Sequence, residues 1–302
     1  MTAVRHGLPT DATTVDDLQP TLVVPEILAT VAEEEVFRPL ARQFDLTGEG
    51  ITSTIAQPAA LTFTALNEDA AVEPVEQAFT TSARSLTTAQ YQVDVIITLK
   101  ALQDSISQLQ PSVIAEVGRA LLGHRDGLGA ANWGEAATAN QLGTENIPIS
   151  FAELRDGQAL LHAARAPRSP KKYSWVVYPA QFAELLQDDT FINASVKGSP
   201  VLTNGIGANG YATSALDVDV YVSPAIVDST GHRSMMFAEG SLGYAFKRLA
   251  APGQGMAPQE LMIDLAWNSG FRQWEINTTY ECHFVGIRDT VTTQTWMVDV
   301  AS

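Results

Sequence analysis

Residues 205–210 read GIGANG, the G-x-G-x-x-G spacing with which a glycine turn brings backbone N–H groups close to a dinucleotide pyrophosphate. That chemistry also needs a strand before the turn, a helix after it, and an acid about 20 residues further on. Here the chain continues YATSALDVDVYV, which is strand-like, and Asp217 and Asp219 arrive too soon. Gly205, Gly207, Asn209 and Gly210 are therefore read as a turn in which glycine supplies positive φ, and no cofactor is expected. His6, His124, His162, His232 and His283 include no pair at metal-ligand spacing and no H-E-x-x-H, so no metal site is expected. Neither a G-x-S-x-G elbow nor a phosphate-binding G-x-x-x-x-G-K-[ST] loop occurs. Cys282, the single cysteine, falls on the apolar side of an alternating run and is read as a small core hydrophobe. The acids of AEEE, residues 32–35, read as a solvated helix face. Glu68, Asp69, Glu73 and Glu76 lack calcium-loop spacing and read as a solubilising tip or as half of a charged contact with a neighbouring subunit. Catalysis is not expected.

Composition narrows the classes further. The chain has 302 residues, 45% of them hydrophobic, which suffices for a sizeable core. Its 34 acids against 18 bases give a formal charge of −16, which repels a phosphate backbone and argues against sequence-reading of nucleic acid. The same charge suits solubility, or the enclosure of nucleic acid without adhesion. One cysteine permits no intrachain disulfide, so a reducing compartment is expected. No apolar run approaches the ~18 residues that would cross a bilayer, and a soluble cytoplasmic product is expected.

The elements that would carry these residues follow from periodicity. Residues 1–22, rich in Thr, Asp and Pro, read as an arm. From Pro25 a helix places Ile27, Leu28, Val31, Leu40 and Phe44 near one face, and Pro39 kinks or ends it. Residues 51–99 read as a long two-stranded excursion. It goes out through Leu61, Phe63 and Ala65, crosses the tip NEDAAVEPVEQ, and returns through Tyr91, Val93, Val95, Ile97 and Leu99. A lone ribbon is marginal in water, so its apolar side needs a partner that nothing local supplies. A long helix is predicted over 105–124, with Ile106, Leu109, Val113, Val117 and Leu121 as its stripe, ending in GHRDGLGAANWG. SFAE, residues 150–153, is a capping box opening a helix with Leu154, Leu161 and Ala164 inward. YSWVVY, LDVDVYV, QELMIDLAW and the run from Trp274 to Phe284 read as strands, and PAQFAELLQ as a short helix begun by Pro179. Helices and strands mix without a repeating strand–helix rhythm, which predicts α+β.

This order of parts, with SLTTAQYQVDVIITLKALQDS, VVYPAQFAELL, NGIGANGYATSALDVDVYVSP and MMFAEGSLGYAFKR along it, resembles the major capsid protein of tailed bacteriophages. That family has the Hong Kong 97-type shell fold, shared more distantly with encapsulin nanocompartments and herpesvirus capsids. The resemblance implies an N-terminal arm (1–24), a peripheral-domain helix (25–50), an extended loop lying over an adjacent subunit (51–99), a spine helix (100–140), an axial domain (141–257) and terminal strands (258–302). It implies intersubunit contacts at Phe63, Asn67, Glu68, Asp69, Glu73, Glu76 and Arg84, and places residues 205–210 in an axial turn. The expected function is structural: pentamers and hexamers of an icosahedral shell around double-stranded DNA, assembled in a host bacterial cytoplasm. Expected partners are further copies of the chain, a separate scaffolding protein, a portal and a decoration or cement protein, with no membrane. Residues 51–99 contain no lysine, so the lysine-to-asparagine crosslink of some members cannot start there. The first helix is read some two dozen residues after Met1, so a separate scaffolding protein, or assembly without a fused one, is expected. The alternatives are an encapsulin-type shell, a tail or tube protein, and a cytoplasmic α+β enzyme with an unfamiliar site.

Overall fold

A computed structural model describes residues 35–46, 52–58, 81–98, 109–132, 140–167, 173–196, 210–226, 232–249, 260–271, 273–287 and 296–302. In chain order its elements are α1 (Phe37–Leu40), β1 (Arg42–Asp45), β2 (Thr52–Pro58), β3 (Thr81–Thr87), β4 (Ala89–Thr98), α2 (Leu109–Ala130), β5 (Gln141–Gly143) and α3 (Phe151–Ala163). There follow β6 (Tyr173–Val177), α4 (Pro179–Leu185), α5 (Asp189–Val196), β7 (Tyr211–Ala215), β8 (Val218–Val222), β9 (Arg233–Phe237), β10 (Leu242–Lys247), β11 (Leu261–Asn268), β12 (Gln273–Gly286) and β13 (Met297–Ala301). The mixture is α+β, as periodicity predicts.

The first sheet is organised by β12, the longest alternating run in the sequence. One of its edges takes β4 along residues 273–282. The other takes β11 along 273–280 and then β10 along 281–286. β1 extends the sheet parallel to β10. Alternation sends Ile276, Tyr280, Cys282 and Phe284 to the face that α2 covers, where they meet Tyr244, Ile97, Val117 and Leu121 in one core. The helix continues through GHRDGLGA to Ala130, six residues past the predicted end at His124. Glycine costs about 1 kcal/mol in a helix interior, and tertiary contacts outweigh it here. At Gly129 a Cβ would sit 2.6 Å from the Cβ of Phe37, so the missing side chain is what lets α1 close onto α2.

The second sheet has the order β5-β13-β9-β6-β8-β7. One of its faces buries Trp175, Val177, Val220, Met236, Val298 and Val300, together with Leu154 and Leu161 of α3, Leu185 of α4 and Phe191 of α5. The opposite face sends Val176, Met235, Phe237 and Met297 into the core of the first sheet, so the two sheets share an interior. The capping box at α3 forms as predicted: the amide of Ala152 donates to Ser150 Oγ at 3.2 Å, and that of Ser150 donates to Glu153 Oε2 at 2.8 Å. Gly210, at φ 70°, leads into β7. A Cβ there would lie 2.4 Å from the carbonyl oxygen of Val222, so both backbone and space require glycine.

Several expectations are corrected. Phe44 lies on β1 rather than on a helical face, because α1 ends at Leu40 and the chain turns extended to pair with β10. The excursion 51–99 divides at Thr88. Only β2 and β3 form a free-standing two-stranded ribbon, whereas β4 belongs to the first sheet. A local partner for β4 exists after all: Ile97 is buried and Tyr91 and Val95 pack against the same core. β10 lies in the first sheet with β12, although residues 141–257 were expected to form one axial block. Finally, LDVDVYV is not strand throughout. Leu216 and Asp217 are the two turn residues of the β7–β8 hairpin, at φ 49° and 60°.

Left-handed backbone costs an ordinary L-residue roughly 1–2 kcal/mol, and a two-residue hairpin turn of this kind favours Asn-Gly. The double substitution Leu216→Asn, Asp217→Gly is therefore expected to stabilise the subunit by about 1 kcal/mol, read as a higher denaturation midpoint at unchanged slope.

Candidate assembly surface

The ribbon is the element least explained by the subunit itself. β2 and β3 pair antiparallel from Thr52 opposite Thr87 to Pro58 opposite Thr81. Seven residues per strand reach about 23 Å. Its base is anchored: Leu86 is buried among Leu46, Ala245 and Val285, with Phe44 and Ile55 half-buried beside it. At the junction with β4 the hydroxyl of Thr88 donates to the carboxylate of Glu281. Arg84 stands on β3 opposite Ile55, half-buried near this base. Phe63, Asn67, Glu68, Asp69, Glu73 and Glu76 lie outside the described residues, as do Gly205, Gly207 and Asn209. Arg84, on the ribbon, and Gly210, just before β7 of the second sheet, do not form one site. Gly210 instead lies against the segment that opens α1: a Cβ on it would be 2.9 Å from Val36 Cγ2.

The segment 35–40 is held by a buried polar cluster that sequence reasoning missed. Glu35, expected on a solvated face, is 1% exposed, and so is Arg125. Helix α2 carries Arg125 four residues after Leu121, on the same stripe as Val117 and Leu121. A charge at a stripe position was the available signal. Arg125 Nη2 donates to Glu260 Oε1 at 2.7 Å and to the Tyr244 hydroxyl at 2.9 Å. Tyr244 donates in turn to Glu260 at 2.6 Å, and Arg38 Nη2 reaches the other oxygen of Glu260 at 2.5 Å. Arg125 Nε approaches Glu35 Oε1 to 3.1 Å, but the angle is wrong for a hydrogen bond and both atoms lack a partner in that geometry. The next residue, Asp126, accepts the amides of Val36 and Phe37 on Oδ1, each at 3.2 Å, and so caps α1 from a distant part of the chain.

The electrostatics follow from burial. Burial pushes Glu35 up to about 7, with Arg125 and Arg38 pulling the other way. Burial also raises Asp126 to about 6, against the two backbone amides that favour its charged form. The Cys282 thiol is pushed up to about 12 by burial, in keeping with a core residue. His124, whose Nδ1 pairs with the Tyr280 hydroxyl, is lowered by burial. The cluster positions backbone and holds charge. Among the described residues no group of three His, Cys, Asp or Glu side chains is arranged to hold a metal ion, and no helix is long and apolar enough to cross a membrane.

No family profile matches the chain, and no curated protein matches it either. Solved structures do. A protein of Mycobacterium phage Che8 superposes at a TM-score of 0.66 and 16% identity, over 88% of this chain and 91% of that one. The capsid of Ralstonia phage GP4 gives 0.68 at 9% identity, over 89% and 91%. The holo-SrpI encapsulin complex from Synechococcus elongatus PCC 7942 gives 0.58 at 11% identity, over 100% and 91%. Similarity over about nine-tenths of both chains at such low identity is likeness of fold. The chain has the Hong Kong 97-type shell fold of tailed-phage major capsid proteins.

Proposed function

We propose that this chain is the building block of an icosahedral shell whose pentamers and hexamers enclose the double-stranded DNA of a tailed phage. The observation that carries this reading is fold likeness over 88% and 89% of the chain to a Mycobacterium phage Che8 protein and a Ralstonia phage GP4 capsid. The ribbon agrees with it, since β2 pairs with β3 and with no other strand among the described residues. In this reading residues 1–24 form an arm, and the ribbon with its tip is the extended loop. Phe63, Asn67, Glu68, Asp69, Glu73, Glu76 and Arg84 touch neighbouring copies, and residues 205–210 turn near the axis of each pentamer or hexamer. Interfaces rather than catalysis are the mechanism. The formal charge of −16 lets the inner wall face DNA without binding it tightly. A scaffolding protein, a portal and a decoration or cement protein are the proposed partners, and the host cytoplasm is the place of assembly.

An encapsulin-type shell is the second reading, because the encapsulin match covers 100% of the chain. Its TM-score of 0.58 is below the 0.66 and 0.68 of the two phage proteins. Electron microscopy of particles from the native source, with analysis of their contents, separates the two. Closed shells filled with DNA support the phage reading, and shells filled with one enzyme support the other. A small oligomer with no closed shell, or an open tube, overturns both.

A further inference from the structure

The second sheet carries exposed apolar side chains at two diagonally opposite corners. Leu216 is 40% exposed on the turn between β7 and β8, and β7 is one edge of the sheet. Ile147 is 57% exposed just beyond β5, the other edge. Strand direction sets the two at opposite ends as well. β5 is parallel to β13, β13 and β6 are each antiparallel to β9, and β6 is parallel to β8, so β5 and β8 run the same way. Leu216 precedes β8, whereas Ile147 follows β5. Strands spaced about 4.8 Å apart put roughly 24 Å between the edges of a six-stranded sheet, so the two side chains of one copy do not cover each other.

Both corners are held in place. The carbonyl of Leu216 accepts a hydrogen bond from Gln158 Nε2, which pins the β7–β8 turn to α3. At the other corner the amide of Ile147 donates to the Thr144 carbonyl at 3.0 Å, closing a turn through Asn146 at φ 65°. The chain after it is tied to the connection between α4 and α5: the amide of Ile149 donates to Glu184 Oε2 at 3.0 Å, and that of Phe151 to Asp188 Oδ2 at 2.8 Å. Leu186, between those two acids in sequence, is exposed. Asn146 adopts left-handed backbone readily, but Leu216, at φ 49°, carries strain that Asn would relieve. Strain kept at an exposed apolar residue marks a function that folding alone does not supply.

We infer that the two corners join copies head to tail, with Leu216 of one copy packed against Ile147 and Leu186 of the next. That the partner is a further copy of this chain rests on the shell reading. The mode of contact comes from the sheet: two different patches at opposite corners cannot pair across a two-fold axis, and they leave one corner of each kind open until the contacts close a ring.

Thiols placed at the corners of the full-length chain test it, because the single native cysteine, Cys282, is buried. Leu216→Cys with Ile147→Cys, oxidised with diamide under assembly conditions, should give a non-reducing gel ladder that ends at pentamer and hexamer, with at least about tenfold more linked chain than either single variant. A mixture of the two single variants should give dimers only. Equal linking in Leu216→Cys alone means a two-fold contact and overturns the head-to-tail pairing. Leu216→Asn adds a readout that failure to fold cannot imitate. It should unfold at a higher denaturant concentration than wild type, while the chain concentration needed for half-assembly rises about tenfold, as expected when one buried leucine is lost from a contact. Unchanged assembly in this variant overturns the contact. Closed shells without links in the double-cysteine variant overturn the contact and leave the shell reading standing. A ladder without closed shells does the reverse, and a wild-type chain that stays monomeric overturns both.

Discussion

Arg125→Ala is expected to destabilise the subunit by about 3–5 kcal/mol, the range found when one partner of a buried ion pair is removed and the other stays. The guanidinium is 1% exposed and is the common neighbour of Glu35, Glu260 and Tyr244. Without it the cation left beside Glu35 among the described residues is Arg38, at 3.7 Å, and the face of the Tyr244 ring loses a cation 5.3 Å from its centroid. Domains are stable by only about 5–15 kcal/mol, so the loss is a large share of the total. The unfolding midpoint should drop by roughly 10 °C in a chain of this size. Arg119→Ala is the internal comparison: its pair with Glu116, at 3.3 Å, is exposed on both sides and is worth about 0.5 kcal/mol at most. Arg125→Met combined with Glu35→Leu should recover much of the loss, because it removes the stranded charge together with its partner. If the double variant is as unstable as Arg125→Ala, the cost came from lost packing and the electrostatic account is wrong.

The same cluster shows where sequence reading succeeds and where it stops. The buried face of β12 was legible from Ile276 to Phe284, and the capping box at Ser150 announced α3, because both signals are local. The buried Cys282 was legible for the same reason, since its face of β12 is apolar. What was not legible depends on contacts between distant segments. Glu35 looks like any acid in an acidic run until Arg125, ninety positions later, makes burial tolerable. The glycines at the end of α2 look like a stop until Phe37 fills the space above Gly129. Leu216 continues an alternating pattern, and only the pairing of Ala215 with Val218 shows that it must turn. The return strand of the excursion showed the correct apolar face, yet periodicity could not say whose surface that face would meet. It meets α2 along β4, so in the proposed reading only the ribbon of this excursion is left to be covered by a neighbouring copy.

Shortening that ribbon carries the largest expected effect on assembly. Pro58 and Thr81 are directly opposite in the register, so residues 59–80 can be replaced by Asn-Gly, the two-residue turn that suits an antiparallel hairpin. The replacement removes Phe63, Asn67, Glu68, Asp69, Glu73 and Glu76 while leaving Ile55, Leu86 and the Thr88–Glu281 hydrogen bond that anchor the base. Stability of the subunit should change by about 1 kcal/mol or less, since no buried side chain among the described residues is lost. Shell formation should fail, with closed particles reduced at least tenfold by sedimentation and microscopy. Association costs an estimated 4–15 kcal/mol per contact in lost freedom, and apolar burial returns only about 25 cal/mol for each Å². In the proposed reading residues 59–80 are part of the contact between copies, so their removal takes away apolar area while the association cost stays. A shortened subunit that unfolds like wild type and still closes into shells at normal yield would show that the ribbon tip is not an assembly contact. The holding surface would then lie on the two sheets themselves.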